Sequence, residues 1–341
     1  MNSIISKIIT IWVQVRDLYL YLFQHAIIVN GYVDDHTWCG IRHRNWGDDL
    51  NYYYLHKLTR RPIVFRHNFR IVRWLRHNSY LCIGTLLDGK KYKDSHTIIW
   101  GSGCSGADRG LPTPQRVLAV RGPKSREYLQ SQGIDCPEVY GDPALLLPLV
   151  YIPREMFKVQ GSKFKDNSSF LSQREAIHET RNQKQETMRY RLGIIPHVVD
   201  LHHPVIEEIR EKHADEILII DLAHYKKWTD VIDQICSCER ILSSSLHGLI
   251  VSDAYQVPSC WIELTGKISG GYFKYLDYAA SVSRIFSAPM LIESFAVFAD
   301  VVEHADSYFS CAEAKKIKEL QQGLIAAAPF ECFVLGEGED I

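Results

Sequence analysis

Long apolar runs are missing from this chain of 341 residues. No stretch approaches the ~20 consecutive apolar residues a bilayer span requires, so a transmembrane segment is not expected. Charge of either sign is also not in excess: 39 Lys and Arg stand against 40 Asp and Glu, for a formal net charge of -1. A balance so close to neutral offers no electrostatic footprint for wrapping nucleic acid. The nine cysteines are spread singly, and their odd number and lack of framework spacing argue for reduced thiols in a cytoplasmic compartment. Cys236 and Cys238, one residue apart, match neither a zinc knuckle nor a redox pair, so no structural metal is expected. No small-residue cleavage site follows the first apolar segment, which disfavours a signal peptide. Without secretion the sequon at Asn167 is chance.

What is present is an ordinary globular composition, 46% hydrophobic and 23% charged, on a chain longer than one hydrophobic core usually serves. Two domains follow: residues 1–160, then a polar linker or insertion at 161–188, a second domain at 189–310, and a closing helix within 311–341 that crosses back to the first. Near the start, Ile4, Ile5, Ile8, Trp12, Val15, Leu18, Tyr19 and Leu22 recur at helical spacing. That pattern reads as an amphipathic helix packed on the protein's own surface, with interfacial membrane contact as the competing reading.

Apolar strand-like runs at 26–29, 63–65, 80–83, 97–100, 117–120 and 138–140 alternate with helical stretches at 49–58, 69–75 and 124–132. The same alternation resumes after the linker, with strands at 193–197, 217–221, 241–243 and 259–263 and helices at 204–211, 228–237 and 246–255. Repeated strand–helix alternation implies an α/β fold of largely parallel sheets, here two Rossmann-like doubly wound domains. No internal sequence repeat is evident, although the two halves share this rhythm.

The chemistry-bearing residues fall where strands give way to helices. Ser245-Leu246-His247-Gly248 follows the strand at 241–243, so Ser244 or Ser245 can cap the next helix and His247 falls in its first turn. Unpaired N–H groups at such a start attract phosphate or carboxylate, with the imidazole of His247 beside it as acid or base. A packed core histidine is the plainer alternative. Asn45-Trp46-Gly47-Asp48 opens a helix; Gly47 permits close backbone approach, and Asp48 either caps or accepts a ligand hydroxyl. Gly101 and Ser102 form a small-residue turn after a strand, either a ligand edge or only a turn. Arg121 ends a strand, where a guanidinium can hold a carboxylate in bidentate fashion. Asp142 orients a hydroxyl or fixes its own turn. Lys267, in a loop after the strand at 259–263, would neutralise phosphate or sit solvated, and Lys274 is a second lysine candidate.

Taken together these segments resemble the polysaccharide pyruvyl transferase family. The matching stretches are Asn-Trp-Gly-Asp-Asp-Leu at Asn45, Gly-Ser-Gly at Gly101, Val-Arg-Gly-Pro-Lys-Ser at Val120, Gly-Asp-Pro-Ala-Leu-Leu-Leu at Gly141, Ile-Pro-His at Ile195, Ser-Ser-Leu-His-Gly-Leu-Ile at Ser244, and Val-Pro at Val257 with Lys267 ten residues on. The resemblance implies a GT-B-like pair of domains with an interdomain cleft, phosphoenolpyruvate as donor, and as acceptor a sugar of a polysaccharide or lipid-linked repeat unit. It also implies no cofactor. By position, Arg121 matches the family's donor-binding arginine, His247 its motif histidine and Lys267 its downstream lysine. Ser245, His197, Asn45, Gly47, Asp48, Gly101, Ser102, Asp142 and Lys274 join them as candidate substrate contacts. Two departures stand out: many members carry Arg where this chain has Ser245, and Gly122 replaces an Asp that often follows the arginine. A cytoplasmic enzyme at the inner face of the membrane would fit such an acceptor. A nucleotide-sugar glycosyltransferase and a non-catalytic glycan-assembly protein are the competing functions.

Overall fold

A computed structural model of the chain describes residues 3–68, 77–88, 95–107, 110–153, 190–268, 271–303 and 308–335. The helix expected at 69–75, the polar segment 161–188 and the sequon at Asn167 lie outside the described residues. The chain forms two compact units. One comprises Met1–Leu145, Ser269–Ala288 and Ala312–Cys332, the other Leu146–Ile268, Pro289–Cys311 and Phe333–Ile341.

In the first unit, α1 (Ser3–Gln24) leads into β1 (Ile27–Val29), α2 (Trp46–Thr59), β2 (Ile63–Phe65), β3 (Ser79–Leu81), β4 (Thr97–Trp100), β5 (Arg116–Ala119) and α3 (Pro123–Ser131). The five strands form a parallel sheet in the order β2-β1-β3-β4-β5. Covered on both faces, such strands need continuous apolar runs, and the Ile-Ile-Val of β1 and the Ile-Val-Phe of β2 are buried throughout. Leu81, Ile99 and Val120 pack with Leu129 of α3 and Ile134 as the core of this unit. Pro123 stands in the first turn of α3, where a missing N–H costs nothing, and Gly133 follows its end with φ +72.

The second unit repeats the plan with β6 (Leu192–Ile195), α4 (Pro204–Lys212), β7 (Ile217–Ile219), α5 (Trp228–Cys236), β8 (Ile241–Ser243), α6 (Leu246–Ala254) and β9 (Ser259–Glu263). Its sheet, also parallel, has the order β10-β9-β8-β6-β7, where β10 is Met290–Leu291. Counted from β6 this is the order of the first sheet, so both units are doubly wound α/β folds. Leu242, Ile194, Cys260 and Ile262 meet Val205, Ile206 and Ile209 of α4 in the core.

Some elements depart from the sequence reading. The strand expected at 138–140 is a single bridge from Tyr140 to Val120, because Pro137 and Pro143 bracket the segment too closely for a ladder. The helices α7 (Phe273–Ser281) and α8 (Phe295–Glu303) were not anticipated. Residues Ser269–Ala288, read from the sequence as part of the second domain, group with the first unit, where α7 packs on α3. The closing helix α9 (Ala314–Ala326) also belongs to that unit: the Leu324 carbonyl accepts from Trp100 Nε1 at 2.9 Å, and Gln321 Nε2 donates to the Leu145 carbonyl at 2.6 Å.

Candidate functional site

Sheets of this order bind ligands outside the carboxyl ends of the strands at the switch point, here between β6 and β8 in the second unit and between β1 and β3 in the first. In the second unit that point carries His197, two residues past β6, and Ser244, directly past β8. The two are joined, since the His197 N–H donates to Ser244 Oγ at 2.8 Å. Ser244 Oγ donates in turn to Asp200 Oδ2 at 2.8 Å, and the other oxygen of Asp200 accepts from Thr265 Oγ1 at 2.5 Å. Asp200 has no exposed surface. It therefore ties together the segments leaving three adjacent strands, β6, β8 and β9. Lys267 belongs to the same loop as Thr265, with its N–H directed to Thr265 Oγ1 at 3.3 Å and its side chain exposed.

His247 is the second residue of α6 and is buried. Ser245 occupies the N-cap position with extended backbone but makes no side-chain capping bond. The turn is held by Ser243 instead, whose Oγ accepts from the Ser245 N–H at 3.1 Å and donates to the Ser245 carbonyl at 2.8 Å. The absence of a side chain at Gly248 makes this packing possible: a Cβ there would lie 2.2 Å from Ser243 Oγ. Ser245 is thus a cap by position only.

The corresponding edge of the first unit is more highly charged. Arg121, one residue past the bridge-forming Val120, has no exposed surface, and all three guanidinium nitrogens meet protein: Nε bonds Asp277 Oδ2 at 3.0 Å, Nη1 bonds Thr85 Oγ1 at 2.9 Å, and Nη2 bonds the Cys104 carbonyl at 2.7 Å. Asp277 is equally buried and also accepts from Ser125 N–H at 2.9 Å and Ser125 Oγ at 2.6 Å. The expected grip on a ligand carboxylate is therefore replaced here by a grip on Asp277. Gly122 has no room for a side chain, since a Cβ would lie 2.0 Å from the Asp277 carbonyl oxygen. The carboxylate beside Arg121 comes from α7. Gly103 also must lack a side chain, because its Cβ would meet the Arg121 Cζ at 2.3 Å.

Asp48 and Lys274 lie within electrostatic reach of one another, and Lys274 also of Arg121. Both retain partial exposure while crowded by protein atoms. Burial pushes the Asp48 carboxyl up to about 7, with Asp49 adding to the effect and Lys274 and Asn45 opposing it. Burial pulls the Lys274 ammonium down to about 8, helped by Arg121 and opposed by Asp48. A carboxyl and an amine that titrate close to neutrality in one cluster are the usual mark of acid–base work. The cap of α2 is Asn45 rather than Asp48: Asn45 Oδ1 accepts from the Gly47 N–H at 3.3 Å, and its Nδ2 donates to Asp48 Oδ2 at 2.9 Å. Gly47 itself is buried in the first turn.

The remaining candidates meet partners within the fold. Gly101 has φ +92 and would meet Pro143 with any Cβ, and Ser102 Oγ donates to the Cys82 carbonyl at 2.9 Å, so this turn is structural. Asp142 fixes its own turn through the Ala144 N–H at 3.0 Å. Its other oxygen is buried with no hydrogen-bond partner among the described residues, and burial raises the carboxyl to about 6 despite Arg121. No group of three or more His, Cys, Asp or Glu among the described residues is arranged to hold a metal ion. The residues that sequence reasoning missed are Asp200, Thr265 and Asp277. Asp200 carried a weak signal, an acid soon after a strand, whereas Asp277 pairs with a residue 156 positions away.

The Asp48–Lys274 cluster makes stability depend on pH with a definite sign. A carboxyl raised above its unfolded value of 3.8 makes the native state bind more protons, so its contribution falls as pH rises from about 4 to about 7. An amine lowered from 10.5 makes the native state bind fewer protons, so its contribution rises with pH from about 8 to 10.5. As pH rises from about 4 to 7, denaturant midpoints are expected to fall less, or rise more, in Asp48→Asn than in the unaltered chain, and Lys274→Met should flatten the alkaline rise. A profile unchanged by Asp48→Asn would remove Asp48 from the cluster.

The family model described as polysaccharide pyruvyl transferase matches residues 41–265. The chain belongs to the polysaccharide pyruvyl transferase family. That interval contains Asn45, Asp48, Arg121, Asp142, His197, Asp200 and His247, so the motif order read from the sequence reports family membership and not chance. Lys267 and Lys274 fall just beyond it. An uncharacterised protein of Acanthamoeba polyphaga mimivirus is 26% identical over 187 residues, and that match spans 54% of this chain and 54% of that protein. Two structures of the wall teichoic acid polymerase TagF align over 97% of this chain and 94% of theirs, with 9% identity and a TM-score of 0.40.

Proposed function

We propose that this pyruvyl transferase family member takes phosphoenolpyruvate as donor and forms a pyruvate ketal on two hydroxyls of one sugar in a polysaccharide or lipid-linked repeat unit. The observation that carries the reading is the switch-point edge of the second unit, where the start of α6, which has no side-chain cap, places its first backbone N–H groups beside His247 and the Asp200 network fixes the flanking His197 and Thr265 segments. An anion such as the phosphate or carboxylate of the donor suits that edge, and Lys267 adds an exposed cation in the loop beyond it.

The reaction balances without an added reagent. The donor methylene gains a proton and becomes a methyl group, and cationic character develops at C2. One sugar hydroxyl forms a bond to C2, the phosphate oxygen leaves, and the second hydroxyl closes the ketal. The two hydroxyl protons are accounted for by the new methyl group and the departing phosphate. His247 delivers or collects a proton at the donor. Within the first unit, Asp48 and Lys274 are a carboxyl and an amine that titrate near neutrality and so exchange protons with little driving force in either direction. Arg121 acts indirectly in this reading, holding Asp277 and lowering the proton affinity of Lys274.

Incubation with phosphoenolpyruvate or with nucleotide sugars, in the presence of glycan acceptors, is the direct test. Phosphate release together with an acceptor mass gain of one pyruvyl ketal is expected with phosphoenolpyruvate. Sugar transfer from a nucleotide donor would establish the glycosyltransferase function, and no saturable heat on titration with phosphoenolpyruvate would establish a non-catalytic role.

A further inference from the structure

The most extensive exposed apolar surface in the first unit is on α1. One side of this helix is turned inward: Ile9, Val13 and Asp17 are buried, and Leu20 and Tyr21 pack on Ala26, Ile28 and Val64. The other side presents Ile4, Ile8, Ile11, Val15, Tyr19 and Leu22 to solvent, with Ile4 72% and Ile11 63% exposed. At ~100° per residue, an arc of about 120° on this side holds no polar residue at all. Lys7 and Arg16 flank the arc on its two sides. Monomeric soluble proteins seldom leave so continuous a patch uncovered.

Two features decide what covers it. The first is breadth. A coiled-coil partner needs a narrow seam of two positions per heptad with charged neighbours that select the partner. Here the positions on one side of the seam Ile8–Val15–Leu22 are Ile5, Trp12 and Tyr19, which carry no charge, and on the other side only Lys7 is charged, beside Gln14 and Tyr21. Trp38 extends the patch off the helix: its ring lies 6.5 Å from that of Trp12, its carbonyl accepts from Trp12 Nε1 at 3.0 Å, and both rings are about half exposed. Tryptophan and tyrosine around a broad apolar face are the composition of a headgroup interface.

The second feature is charge. Residues 1–87 hold eleven Lys and Arg against five Asp and Glu, whereas residues 88–341 hold 28 against 35, and no acidic residue occurs from 50 to 87. Part of this excess lies at the end of α1, where Arg61 Nε donates to the His25 carbonyl at 2.7 Å; Arg61 is exposed, as are Lys57 and Arg60 just before it in the chain. Basic residues beside an apolar face complement anionic lipid headgroups. We infer that the outer face of α1, with Trp38, docks on an anionic bilayer surface, the helix lying in the headgroup region. No described helix is long and apolar enough to cross a membrane.

The inference is independent of which group is transferred: vesicle binding without pyruvyl transfer would leave it intact. The full chain is mixed with phosphatidylcholine vesicles, with and without phosphatidylglycerol, and sedimented. Binding to the phosphatidylglycerol vesicles that weakens with added salt is expected, and Ile11→Glu/Val15→Glu should reduce it roughly tenfold or more. Both positions are exposed, so circular dichroism and thermal midpoint should not change. Arg60→Glu/Arg61→Glu should remove the preference for the anionic vesicles. Failure of the wild-type chain to bind either vesicle overturns the inference, as does undiminished binding by the Ile11→Glu/Val15→Glu variant. A wild-type dimer that this variant makes monomeric, with no vesicle binding, would assign the face to a second copy of the chain instead.

Discussion

Replacing His247 with Ala should lower phosphoenolpyruvate-dependent transfer by roughly 10²–10⁴-fold, the usual loss when a positioned acid or base is removed. The donor should still bind, because the backbone donors at the start of α6 and the exposed Lys267 are untouched. The measurement is therefore a rate under saturating donor together with calorimetric binding of phosphoenolpyruvate. Since His247 is buried, thermal midpoints of the variant must accompany the rate, and His247→Gln serves as a form of closer size. A folded variant that transfers pyruvyl groups at the wild-type rate would refute the role assigned to this residue. A variant that has lost donor binding but keeps its rate at saturation would move His247 from proton transfer to anion recognition.

The second large effect concerns stability. Arg121→Met should cost about 3–5 kcal/mol, because it leaves the Asp277 carboxylate buried without its cation. Three further facts sharpen the expectation. Ser125 still donates two hydrogen bonds to Asp277, so the loss falls short of complete isolation. The Thr85 hydroxyl and Cys104 carbonyl lose the donors they now use. Replacing both charges, in Arg121→Met/Asp277→Leu, should recover a substantial part of the loss, although the Ser125 N–H at the start of α3 then lacks its acceptor. Denaturant midpoints of the two single variants and the double variant form the cycle. If Arg121 instead holds the donor carboxylate, Arg121→Met would leave the midpoint unchanged and raise KM for phosphoenolpyruvate, and the structural assignment made here would fail.

Much of the fold was legible because buried parallel strands leave a direct trace. Ile63–Phe65, Ile241–Ser243 and Ser259–Glu263 have the bounds expected from their apolar runs. The helices after them were marked by punctuation such as Pro123 and Gly133 for α3 and Pro204 for α4. Two of the elements that escaped, β10 and α7, lack this contrast. β10 has two residues, and α7 begins after a Gly-rich stretch and carries aromatic, charged and small residues without a long apolar stripe. Position along the chain was equally misleading for α7, which groups with the first unit, where its buried Asp277 is satisfied by Arg121 and Ser125.

The candidate site divides in the same way. The Ser244 to Gly248 segment could be read locally, since a strand end, a helix start and a histidine in the first turn lie within a few residues. Which serine holds the turn could not: Ser243, Ser244 and Ser245 are chemically alike, and only the closeness of Gly248 and the Asp200 carboxylate gives the first two their partners. Gly101, Ser102 and Asp142 have motif spacing and strand-end positions, yet their partners are Pro143, Cys82 and Ala144.

By itself, then, the sequence determined the alternation of strands and helices, the two doubly wound units and the family, because these depend on local periodicity and on motifs a few residues long. The tertiary structure alone decided that Arg121 is enclosed by Asp277, that Asp200 links three strand ends, and that Asp48 and Lys274 titrate near neutrality. Burial and charge act through space between residues far apart in the chain, and no local pattern records which of them will meet.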